Sequence, residues 1–227
     1  MSSGSGSRTY GIDIPFVKPY FHEMSVAEER PLRADARRNR EAILKAAKKV
    51  FAKQGTVAQM DDIARAAKLG VGTLYRHFPT KDALIRALMA DRVEHIATFI
   101  REGLEDADAF RGLTDSMRRG AELAARDKAL SGIFTELAPE AFAEFGVSLG
   151  LFDNAAALVA RAKEQGTLRE DFDWTDIPVL MCGVMGPMHQ MAPSSTRPGP
   201  WMRHIQLVID GMRACPDNGP LPDEPLV

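Results

Sequence analysis

Residues 59 to 78, QMDDIARAAKLGVGTLYRHF, leave few folds open to this chain. Met60, Ile63, Ala64 and Ala67 recur at helical spacing and mark one apolar stripe. Three residues, KLG, then separate this short helix from a second that starts near Val71. In the second helix Leu74 and Phe78 stand four apart and share a face. Two short helices, a three-residue turn, the small Ala64 where they cross and Leu69 to fill the turn form a helix-turn-helix pattern. With Leu74 and Phe78 turned inward, Val71, Gly72, Thr73, Tyr75, Arg76 and His77 fall on the outer face or its borders. One side of this helix is buried so that the other can present hydrogen-bonding groups.

The flanks extend the pattern. Ile43, Ala46, Ala47, Val50 and Phe51 form the stripe of an earlier helix, which Gly55 ends. Thr80 suits the N-cap of a further helix with Asp82 in its first turn, and Leu84, Ile85 and Leu88 carry its apolar face towards Glu102. Downstream, amphipathic helices are expected over 109–126, 128–137, 139–165, 175–191 and 200–214. Strand alternation is absent, so the fold class is all-α. Residues 1–33, with MSSGSGS and prolines at 15, 19 and 31, read as a flexible arm; 34–82 as a three-helix helix-turn-helix domain; 83–214 as a second helical domain; and 215–227, with four prolines, as a disordered tail.

Charge sharpens this division. The chain of 227 residues has a formal net charge of −2, yet Arg30 to Arg92 holds 15 Lys/Arg against 6 Asp/Glu. A basic module joined to an acidic remainder is expected where one part meets a polyanion. No apolar run approaches the length of a membrane span and no cationic-then-apolar leader opens the chain, so a cytoplasmic protein without membrane contact is expected. Cys182 and Cys215 have neither metal-ligand spacing nor scaffold density, and the five histidines pair with no carboxylate or cysteine at catalytic spacing. Glycine-rich phosphate loops and nucleophile elbows are also absent, so neither an enzyme nor a cofactor is expected. The rival reading, a helical small-molecule carrier or enzyme that never meets DNA, leaves the basic segment and the outer face of 71–77 without a use.

DDIARAAKLGVGTLYRHFPTKDALI, residues 61–85, resembles the helix-turn-helix of TetR-family transcriptional regulators almost position for position. REAILKAAKKVFAKQG is similar to the family's first helix, and AKEQGTLREDF and WMRHIQLVIDGMRA to the loop and last helix of many members. Two departures stand out. Lys68 occupies the turn position where the family usually has glycine, and Ala58-Gln59 replaces a threonine/serine pair that caps the second helix. The resemblance implies a ligand-responsive repressor that binds a palindromic operator in double-stranded DNA as a homodimer.

A major groove accepts one α-helix and offers donors, acceptors and the thymine methyl. Gly72 has no side chain to hold the helix away, and Val71 lies beside it. Thr73 brings a hydroxyl and a methyl. Arg76 suits guanine in bidentate fashion or a phosphate. The resemblance assigns Tyr75, His77 and Lys81 to phosphate contact; Gln59 adds a donor at the start of the second helix. Arg33, Arg37, Arg38 and Arg40 are placed to line the DNA backbone or enter a minor groove.

Two reading heads must be held at a fixed spacing. On the last two helices, Met181, Val184, Met185 and Met188, and Ile205, Val208, Ile209 and Met212, make the stripes read here as a dimer interface. Met117, Phe134, Phe142, Phe145, Phe152, Trp174 and His189 are candidates to line a cavity for a largely apolar small-molecule effector. An effector that prefers one arrangement of the heads shifts DNA affinity by its differential affinity for the two states.

Overall fold

Every regular element among the described residues is a helix, as the missing strand alternation requires. The structure, a computed structural model, describes residues 29–126, 139–185 and 201–222. The chain divides into a unit that ends at Arg37 and a main unit from Arg38 onward. In order the helices are α1 (Glu29–Gln54), α2 (Met60–Ala67), α3 (Val71–His77), α4 (Lys81–Glu105), α5 (Ala109–Arg126), α6 (Pro139–Ser148), α7 (Leu151–Glu164), α8 (Asp176–Met185) and α9 (Trp201–Met212), with a single 3-10 turn at Gly55–Val57.

Several boundaries differ from expectation. Helix α1 starts at Glu29, inside the segment read as an arm; Pro31 is tolerated there because amides of the first turn have no intrahelical acceptor. Residues 1–28 and the helix expected over 128–137 lie outside the described residues. The single helix expected over 139–165 is two, α6 and α7, meeting at 72°. Gly150 takes φ 62° at the break, a conformation that an uninterrupted helix does not allow. The tail is corrected in part, because residues 215–222 are held against the loop after α7. Arg169 donates to the Gly219 carbonyl (2.7 Å), and the Leu221 amide donates to Asp171 (2.8 Å). Hydrogen bonds from the Arg169 guanidinium, then from that amide, hold the Asp171 carboxyl well below the usual carboxylate range.

One hydrophobic core runs from Ile43 on α1 to Met212 on α9. Phe51, Ile63, Leu74 and Leu84 fill its first part, Leu113, Leu158, Leu168 and Ile205 the remainder, all fully buried. Helix α4 joins both parts without a break. At its start, Lys48 of α1 bonds Asp91 (2.8 Å), and Arg86 bonds Glu144 of α6 (2.5 Å) while lying over the Phe145 ring. At its end, α4 crosses α5 through Gly103 and Gly112. A Cβ on Gly112 would stand 2.3 Å from the Gly103 carbonyl oxygen, so backbone meets backbone. The Ser116 hydroxyl lies in the same seam, 2.8 Å from the Phe99 carbonyl and 2.7 Å from that of Gly112. Carbonyls at and just after the end of α4 find partners at the C-terminal end of α7 and its cap. Arg161 donates to Leu104 (2.5 Å) and Asp106, and Gln165 donates to Ala107 (2.8 Å).

Candidate nucleic-acid interface

Helices α2 and α3 form where the sequence places them. Gln59 is the N-cap of α2 in extended conformation, but its amide donates to the Val57 carbonyl (2.8 Å) instead of capping the helix. Ala58, just before the N-cap, is fully buried. Helix α2 ends at Lys68, whose φ of 58° and ψ of 36° are left-handed. The Leu69 amide reaches back to the Ala64 carbonyl (3.0 Å), and the Leu69 side chain packs on the core. This is a Schellman-type ending with lysine in the place glycine would occupy at lower strain.

Helix α3 is held by Leu74 and Phe78, both buried, with Arg40 stacked over the Phe78 ring at 4.8 Å. Its outer face carries the expected residues. Val71 is 40% exposed, Tyr75 44%, and Gly72 and Arg76 are exposed as well. Thr73 and His77 are half-buried at the borders, and the His77 ring leans on Phe78. A Cβ added at Gly72 would meet nothing within 4 Å. Among the described residues nothing therefore requires glycine there, although glycine within a helix costs about 1 kcal/mol relative to alanine.

Helix α4 starts beside this face. The Thr80 hydroxyl accepts from the Ala83 amide (3.0 Å) as the expected N-cap. Lys81 is half-buried, its ammonium donating to the Thr56 carbonyl and standing 5.8 Å from the Phe51 ring centroid. That tether pins α4 to the turn after α1, and no local pattern announces it. Arg37 and Arg38 are exposed on α1. Asp62 pairs with Arg65 along α2 (3.0 Å). Val57, 72% exposed beside Gln59, is a further surface residue that the sequence reading did not select.

Of the residues read as a dimer interface, Val184, Met185, Ile205, Ile209 and Met212 are corrected, because this chain itself buries them, while Met181 and Val208 are half-buried. A helical stripe marks what is covered, and here α5, α8 and α9 cover one another. The outward residues include Val179 (54% exposed), Cys182 and Gly183 on α8, and Met202 (50%) and Leu207 (59%) on α9. Of the cavity candidates, Met117 is buried core, while Phe142, Phe145, Phe152 and Trp174 are half-buried. The Phe152 ring meets those of Phe142 (6.3 Å) and Trp174 (5.4 Å) in tilted contacts. Phe134, Met188 and His189 lie outside the described residues. Among the described residues no cluster of His, Cys, Asp and Glu is arranged to hold a metal, and no single helix is long and apolar enough to cross a membrane.

Comparison with known proteins bears on the same region. The profile described as "Bacterial regulatory proteins, tetR family" matches residues 43–88. A solved structure, the TetR transcription regulatory protein from Mycobacterium vanbaalenii, is 34% identical, with a TM-score of 0.58 over 81% of this chain and 99% of that one. This chain belongs to the TetR family of transcriptional regulators. Among curated relatives, the HTH-type transcriptional regulator SAR0097 of Staphylococcus aureus is 36% identical over 81 residues, 34% of this chain and 42% of that protein. The HTH-type transcriptional repressor LfrR of Mycolicibacterium smegmatis is 38% identical over 82 residues, 36% of this chain and 41% of that protein. This chain thus spans about two fifths of the length of these relatives.

Proposed function

We propose that this TetR-family protein is a sequence-specific DNA-binding regulator, a repressor that reads a palindromic operator as a homodimer in the cytoplasm and is released by a small, largely apolar effector. One observation carries the reading. Helix α3 is locked by Leu74 and Phe78, yet exposes Val71, Gly72, Tyr75 and Arg76 within a strongly basic segment. Gly72, which the fold does not require, lets a duplex approach the helix axis. In this reading Thr73 and Arg76 face base edges, and Tyr75, His77, Lys81 and Gln59 face phosphates, with Arg37 and Arg38 along the backbone. Self-association uses the outward faces of α8 and α9, through Val179, Cys182, Gly183, Met202 and Leu207. The cluster of Phe142, Phe152 and Trp174 supports an effector of apolar, aromatic-compatible chemistry.

The test is duplex binding across a salt series. Affinity for a selected operator should fall steeply with salt, because each neutralised phosphate releases counterions. Tyr75→Ala and Arg76→Ala should each weaken binding about tenfold or more, with the oligomeric state unchanged. Equal affinity for the operator and scrambled duplexes at every salt concentration would overturn the reading.

A further inference from the structure

We infer that each operator half-site carries a thymine whose 5-methyl group packs against Val71. This rests on the DNA-binding reading above and specifies what that surface selects. Successive side chains turn by about 100° along a helix, so the outer face of α3 has three ridges. Gly72 and Arg76 form the outermost. Thr73 and His77 form one flank, and Val71 and Tyr75 the other. The Val71–Tyr75 flank is the exposed apolar edge of the reading helix, at 40% and 44%. Val71 takes no part in the core that Leu74 and Phe78 join.

Valine can neither donate nor accept a hydrogen bond. In the major groove the thymine 5-methyl is the one apolar group on a base edge; the other bases present donors and acceptors. Placed against adenine, guanine or cytosine, Val71 would strip water from those polar groups and return no partner, which is unfavourable. It therefore selects in both directions, gaining contact with thymine and penalising the rest. Gly72 supplies the room. With open space where its Cβ would lie, the groove floor can come close enough for a side chain as short as valine to reach a methyl. The 15 Lys/Arg against 6 Asp/Glu between Arg30 and Arg92 supply the complementary charge for a duplex in this position.

The experiment uses the full chain and duplexes selected from a randomised pool. Each thymine of the recovered half-site is replaced in turn by uracil, which lacks only the 5-methyl. One position per half-site, related by the operator's symmetry, should lose about fourfold in affinity, the scale of burying one methyl group. Val71→Ala should bind the thymine and uracil duplexes equally while melting close to wild type, since alanine is the better helix former. Thr73→Ser, which keeps the hydroxyl and removes the methyl, should retain the uracil sensitivity. The inference is overturned if no uracil substitution weakens wild-type binding, or if the sensitivity survives Val71→Ala, or if Thr73→Ser abolishes it instead. Failure to recover any duplex would remove the DNA-binding reading itself, and this inference with it.

Discussion

Glycine serves opposite purposes at the two ends of helix α4. At the α4–α5 crossing, Gly103 and Gly112 bring carbonyl against backbone, and any side chain would collide with the opposite main chain. On α3, just before α4, Gly72 faces open space. The fold accounts for the first pair completely and for Gly72 not at all. A residue that weakens its own helix without easing any internal contact is best explained by something outside the protein.

Substitutions at Gly112 and Gly72 can break this contrast, and one at Lys68, in the turn before α3, sharpens it. Gly112→Ala should have the largest effect, a loss of about 3 kcal/mol in denaturant unfolding, because main-chain overlap cannot be relieved by a side-chain rotation. A loss under about 0.5 kcal/mol would show that the crossing gives way easily and remove one half of the comparison. Gly72→Ala should move stability the other way, up by about 0.5–1 kcal/mol. It should also lower operator affinity about tenfold, close to 1.4 kcal/mol. Were the variant both more stable and an equally tight binder, Gly72 would have no external partner. Lys68→Gly should act least. Relief of the left-handed lysine, worth about 1 kcal/mol, is offset in part by the greater freedom of glycine in the unfolded chain. A melting temperature a few degrees higher with unchanged operator affinity is expected; a drop would mean that the lysine side chain contributes more than its backbone costs.

Local features were legible in the sequence wherever one residue decides them. Helix α3 runs Val71–His77 as read, because Gly70 and Pro79 bracket it and Leu74 and Phe78 define its inner face. Thr80 caps α4 for the chemical reason that picks it out. Features that depend on what covers a surface were not. Ile205, Ile209 and Met212 make a correct stripe, but periodicity cannot tell a neighbouring helix from a second copy, and here the neighbour is in the same chain. The break between α6 and α7 was hidden because apolar spacing continues across GVSLGLF. Of the cavity candidates, Phe142, Phe152 and Trp174 do come together. The Lys81 tether to Thr56 and the Arg161 cap on Leu104 join residues too far apart in sequence for any window to see.

The continuity of α4 has a mechanical consequence. From Gly103 back to Lys81 the helix is about 33 Å long. Taken as a tiller hinged at the glycine seam, it needs a swing of only about 6° to carry its tip about 3.4 Å, one step of the base-pair ladder. A small nudge among the rearward helices would then suffice to displace the start of α4, and α3 just before it, by that distance.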